Sequence, residues 1–252
     1  IFPLLQDGLK TTSWGTTLFL LASTYDQDMH ANPNNPKATN GTDQAWGGNR
    51  ARPDLVKKFF PNGNVPNLES YATAEAAGDD RALFCGVNRT LDNEDVSTFK
   101  SGFGVAKFTN FKTDGSAGHD ATFPDADFFL MRAAEAYLNF AEADARLHGD
   151  QTTEEGTAAI NAIRKRANAS TREDKGYTLS DICDEWSREF YFEGRRRMDL
   201  IRFNRYGGNV NYNWQWKGGT KEGRNFSKDL NIFAIPTNEL TSNKNLIQNP
   251  GY

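Results

Sequence analysis

Phe123-Pro124-Asp125-Ala126-Asp127-Phe128-Phe129-Leu130-Met131-Arg132-Ala133-Ala134-Glu135-Ala136-Tyr137-Leu138-Asn139-Phe140-Ala141-Glu142-Ala143 is where this chain changes character. Pro124 suits the first turn of a helix, where its missing N–H costs nothing. Phe129, Ala133, Ala136, Tyr137, Phe140 and Ala141 recur at spacings of three and four, which predicts one apolar face on a helix from Phe123 to Gly149. A second helix is predicted at once, from Thr152 to Asn168. Thr152 or Thr153 can cap it, Glu154 and Glu155 suit the positive end of its dipole, and Ala159, Ile160, Ile163 and Ala167 form its stripe. With so short a turn between them, the two helices should pack antiparallel, like one tetratricopeptide unit.

Downstream, a third helix is predicted from a cap near Ser180, with Ile182, Trp186, Phe190 and Phe192 facing inward, and a fourth from about Arg195 to Tyr206, stopped by Gly207-Gly208. Between them lies Glu193-Gly194-Arg195-Arg196-Arg197-Met198-Asp199-Leu200-Ile201-Arg202-Phe203. Glu193 and Arg197 stand four apart, a favourable pair if the helix continues, and this charged run reads as a packing element. Residues 209–230 return to loop, with Trp214 and Trp216 sharing a face if the segment is extended. Ile232-Phe233-Ala234-Ile235-Pro236 can form a short strand before its proline. Upstream, residues 1–120 are rich in Gly, Asn, Asp, Thr and Pro, and predict loops, short helices and a few short strands.

The charged run, then Ile232 to Leu240, then the closing Gln248-Asn249-Pro250-Gly251-Tyr252, together resemble the C-terminal signature of the SusD/RagB family of bacterial surface lipoproteins. The stretch from Phe123 is similar to the family's FP-x-x-R-x-AE-x-x-L-x-x-AEA helix. Trp46-Gly47-Gly48-Asn49-Arg50-Ala51-Arg52-Pro53-Asp54-Leu55-Val56, followed by Asp79-Asp80-Arg81, is similar to its earlier loop and D-x-R element. The resemblance covers most of residues 40–252. It implies a mainly α fold, with a tetratricopeptide-like helical core and a loop-rich segment containing short strands. The loop-rich, ligand-facing segment is expected over 1–122 and the helical one over 123–252, within one structural domain. The family's lipoprotein signal, lipidated cysteine and preceding helical half are not in this sequence, so the chain is expected to be roughly a C-terminal half.

A mean hydropathy of -0.70 and a net charge of -4 describe a mildly acidic, water-compatible surface, which argues against a nucleic-acid partner. No stretch approaches the ~20 apolar residues that cross a bilayer. Cys85 and Cys183 lie in unlike surroundings and read as free, buried thiols. His30, His119 and His148 lack metal-ligand spacing, and no phosphate-cradling or nucleophile-elbow motif occurs. No cofactor is expected. Asp26, Asp28, Asn32, Asn34 and Asn35 place many hard oxygens in one loop, which calcium would accept, although such loops are more often solvated turns. Glu135 and Glu142, seven apart on one helical face, could mimic a catalytic pair, but their Ala-rich setting favours interhelical hydrogen bonds.

Exposed aromatics on loops are the remaining signal. A sugar ring offers apolar C–H faces edged by hydroxyls, so its site wants an indole or phenol to stack on and polar side chains at the edge. Trp46 and Tyr25, with Asn49, Arg50 and Asp26 as hydrogen-bond partners, have that make-up; Trp14, Trp214 and Trp216 come next. The resemblance implies non-catalytic capture of a glycan or oligosaccharide at the cell surface, delivery to a SusC-like TonB-dependent transporter, and outer-membrane attachment only through a lipid anchor absent from this chain. Some members of the family carry peptides, and a peptide ligand stays open. A glycoside hydrolase is the rival of another class; it would need two carboxylates ~5 to 9.5 Å apart across a cleft.

Overall fold

The computed structural model describes residues 2–30, 39–208 and 211–252. The fold is mainly helical with a few short strands. It comprises two compact units, Ile1–Glu193 and Gly194–Tyr252.

The first unit opens with β1 (Phe2–Leu4), α1 (Thr16–Thr24) and α2 (Gln27–His30), continues through α3 (Pro53–Val56) and α4 (Ser70–Ala77), and then forms a hairpin-like pair, β2 (Phe84–Cys85) with β3 (Gly104–Val105). Val56, Phe59, Phe84, Phe103, Val105 and Tyr191 bury together there. Next comes β4 (Phe128–Met131), antiparallel to β1, and then α5 (Ala133–Leu147), α6 (Glu154–Arg166) and α7 (Leu179–Phe190).

The helix expected from Phe123 begins ten residues later. Side chains hold the turn before it: Asp120 Oδ1 accepts from Thr122 N and Phe123 N, and Asn110 Oδ1 accepts from Asp125 N and Ala126 N. Phe128 to Met131 then pairs with a strand more than 120 positions earlier. The buried face also differs from the expected one. Ala134, Leu138, Ala141 and Ala145 face inward, whereas Phe129, Ala136, Tyr137 and Phe140 are exposed. Both stripes keep helical spacing, but the small Ala face lets α6 and α7 approach α5 closely. Ala159, Ile160, Ile163 and Ala167 of the second helix are buried as expected. Glu189 pairs with Arg132 at the start of α5 and with Arg166 at the end of α6, which fixes those two helices antiparallel.

Thr178, not Ser180, caps α7, in a reciprocal capping box with Asp181. Ile182, Trp186 and Phe190 are buried along its inner face. Glu142 accepts a 3.0 Å hydrogen bond from the Trp186 indole, so it links α5 to α7. Beyond Phe190 the helix stops, with Phe192 and Gly194 both at positive φ. Glu193 and Arg197 are therefore not on one helix. Glu193 is held by Arg132 and Lys107, and Arg197 donates to the carbonyls of Leu230 and Asn231.

A buried ionic lattice ties this unit together. Arg81 reaches Asp79 (2.8 Å), Glu185 (2.8 Å) and Glu189 (3.0 Å). Glu185 also binds Arg164 and Arg188, and Glu189 also binds Arg132 and Arg166. Burial alone would raise both carboxyls, but the surrounding guanidinium groups overcome it and hold each at about 2. Cys85 and Cys183 are both buried.

In the second unit, α8 spans Arg196–Arg202 and ends before the glycine pair, at Asn204 in the left-handed conformation. Asp199 is buried between Arg195 and Arg202. Short turns cover Lys217–Gly219 and Lys228–Asn231, and α9 spans Thr237–Ser242. Ile232 to Pro236 has no strand partner among the described residues. The tail's side chains take that place: Gln248 exchanges two hydrogen bonds with Ile235, Asn249 donates to Phe233 O and Tyr252 to Ile232 O. Among the described residues no helix is long and apolar enough to cross a membrane.

Candidate functional site

The loop after Asn40 is pinned to the C-terminal end of α1. Buried Asn40 donates to Leu21 O and Gln44 O, Trp46 N donates to Ala22 O (2.8 Å), Gly47 N to Tyr25 O (2.7 Å) and Asn49 N to Ser23 O (2.9 Å). Gly47 and Gly48 both take positive φ, which lets the chain turn sharply beside Trp46. The outcome is an indole that is 45% exposed on a backbone held by hydrogen bonds to α1 and Tyr25.

Three further rings surround it. Trp14, 60% exposed, stacks with Trp46 at 6.3 Å and an interplanar angle of 29°. Phe123 meets Trp14 edge-on at 5.1 Å, and Phe19 meets Trp46 edge-on at 6.4 Å. Polar groups edge this platform. Gln44 accepts from the Trp46 indole N–H (2.8 Å) and donates to Asp43 (2.6 Å), which also accepts from the Thr122 hydroxyl (3.0 Å). Two open π faces beside a carboxylate and an amide can stack a sugar ring and bind its hydroxyls.

The other residues expected around Trp46 are engaged in contacts within the chain. Tyr25 is 0% exposed, packed with Met29, Cys85 and Ala106, so as placed it offers no face to a ligand. Among the described residues its hydroxyl has no hydrogen-bond partner, and burial pushes it well above the ordinary tyrosine range. Burial would raise the Asp26 carboxyl too, but Arg89 at 2.7 Å and Lys100 at 3.2 Å keep it below its usual value. Asn49 donates to the Ser23 hydroxyl (3.0 Å) and Arg50 to Gly48 O (2.9 Å), so both brace the loop. Asp28 also turns to Lys100. Asn32, Asn34 and Asn35 of the proposed calcium loop lie outside the described residues. Among the described residues no cluster of three His, Cys, Asp or Glu side chains is placed to hold a metal.

Trp214 and Trp216 belong to the second unit and do not share an extended face. Trp214 is half-buried and stacks on Tyr206 at 5.9 Å, while Trp216 adopts φ +69° and turns outward. The sequence alone did not bring Phe19, Gln44, Asp43 or Phe123 to the site. Phe123 looked like a helix start, and nothing local connects it with Trp14 more than 100 positions away.

A family model described as the SusD family matches residues 72–252. The starch-binding protein SusD of Bacteroides thetaiotaomicron is 37% identical over 283 aligned positions, which cover all of this chain and 49% of that protein. The chain thus spans about half the length of the curated relative it matches. Among solved structures, a SusD-like protein from Bacteroides fragilis aligns with a TM-score of 0.58 and 19% identity, over 100% of this chain and 54% of the other. A SusD superfamily protein from Parabacteroides distasonis gives 0.58 and 16%, over 100% and 50%. At those identities the two structures speak for the fold, and the matched family model for membership. The chain belongs to the SusD family.

Proposed function

We propose that this chain is part of a non-catalytic, glycan-binding surface protein that holds an oligosaccharide and passes it to a TonB-dependent outer-membrane transporter. The observation that carries the reading is the exposed Trp14–Trp46 pair with Gln44 and Asp43 at its edge. An exposed indole pair is costly to leave in water, and a flat apolar surface with hydrogen-bonding groups at its rim matches a pyranose ring. A neutral α-glucan is the favoured ligand class, supported by the 37% identity to a starch-binding relative. Glu185, Glu189 and Glu193 are consumed by guanidinium partners, and Glu142 by Trp186 and Arg146, which supports binding without hydrolysis.

Incubation with a panel of polysaccharides tests the reading. The expected result is retarded migration of the protein in gels containing starch, with no new reducing ends. Reducing ends appearing with time would identify a hydrolase, and retardation by peptides alone would move the ligand to another class.

A further inference from the structure

The loop from Tyr206 to Ser227 inverts the usual order of burial. Lys217 is 1% exposed, whereas its neighbour Trp216 is 37% exposed. The Lys217 ammonium donates to Tyr212 O (2.6 Å), Asn225 Oδ1 (2.8 Å) and Arg205 O (3.4 Å), and it lies 4.8 Å from the centre of the Trp214 ring and 5.6 Å from that of Phe226. Three oxygens and two π faces meet the needs of a buried cation. The loop therefore closes around its own lysine.

A loop shaped for stability alone would bury the indole and leave the ammonium in water. Trp216 also sits at φ +69°, a left-handed conformation that bulky side chains rarely adopt. It is held there by Trp216 N to Lys221 O (3.2 Å), Lys217 N to Trp214 O (3.0 Å) and Gly219 N to Trp216 O (3.1 Å). Strain of this kind persists only where the surroundings over-determine it, and it concentrates at ligand-contacting positions.

We propose that Trp216 is a second sugar-contacting residue, carried by the C-terminal unit, and that buried Lys217 is the residue that positions it. The ligand is a pyranose ring of the same neutral glycan class, so the inference rests on the glycan reading above. Nothing in it requires Trp216 to share one sugar chain with Trp46.

The test uses the five indole N–H signals of this chain, assigned by single substitutions, during titration with maltoheptaose. The Trp216 signal should move. Trp216→Gly, which suits the positive φ, should remain folded and bind maltoheptaose about five- to tenfold more weakly. In Lys217→Met the Trp216 signal should shift before any sugar is added, with a similar loss of affinity; an unmoved signal removes Lys217 from the positioning role. Movement of Trp46 with Trp216 still would overturn the inference and leave the glycan reading standing. Movement of Trp216 alone would sustain the inference and overturn the platform, and stillness of both would overturn the two together. A lower melting temperature for Trp216→Gly with full affinity would make Trp216 a structural residue.

Discussion

Replacing Arg81 by Met keeps much of the side-chain volume and removes the charge at the centre of the buried lattice. Arg81 is the cation paired with Asp79 and one of three paired with each of Glu185 and Glu189. Removing one partner of a buried ion pair costs about 3–5 kcal/mol. The low end applies, because Glu185 keeps Arg164 and Arg188, and Glu189 keeps Arg132 and Arg166; only Asp79 is stranded. A loss of about 3 kcal/mol lowers the melting temperature by about 6–12 °C in a domain of this size. The pH dependence adds a second readout. Both glutamates sit at about 2 in the folded chain, below the ordinary glutamate value of 4.5. Their stabilisation is therefore complete above pH 4.5 and lost as the pH falls towards 2. Arg81→Met moves both folded values upward, so the gap between variant and wild type should narrow from pH 5 to pH 2. Differential scanning calorimetry across that range measures it. A variant that melts within 1–2 °C of wild type at neutral pH would refute the reasoning, as would a gap that stays constant on acidification.

Two further substitutions separate structural residues from ligand contacts. Arg197 lies 4.0 Å from the centre of the Phe233 ring and 5.1 Å from that of Tyr206, and donates to two carbonyls. Arg197→Ala should cost about 2 kcal/mol of stability and leave glycan affinity per folded molecule unchanged, as paired thermal melts and titrations can establish. Tyr25→Phe removes a buried hydroxyl that lacks a partner among the described residues, so it should hold or raise stability by about 1 kcal/mol without altering binding; a marked loss of affinity would return Tyr25 to the site.

Where the determinants were local, the sequence carried them. The Ala159, Ile160, Ile163 and Ala167 stripe of α6 and the Ile182, Trp186 and Phe190 face of α7 are buried as their spacing required. Where distant groups competed, it did not. Phe123 to Met131 reads as helix, but Phe128 to Met131 pairs with β1, a strand that no local window contains. On α5 two stripes of helical period overlap, and spacing alone could not choose Leu138 over Tyr137. The candidate site divides in the same way. Trp46 stood out beside its glycines, while Tyr25, equally aromatic and equally close to polar residues, became core. Burial of that kind is settled by Met29, Cys85 and Ala106 closing over the ring, contacts that no window of sequence contains. The side-chain amides of Gln248 and Asn249 standing in for a strand partner are a similar long-range substitution.

Isothermal titration calorimetry of wild type, Trp46→Ala and Trp14→Ala with maltoheptaose tests the glycan-binding account most directly. Stacking on one indole contributes about 1 kcal/mol or more, so each variant should bind about five- to tenfold more weakly with little change in melting temperature. Unchanged affinity in both variants would contradict the account and make the Trp14–Trp46 pair a packing feature.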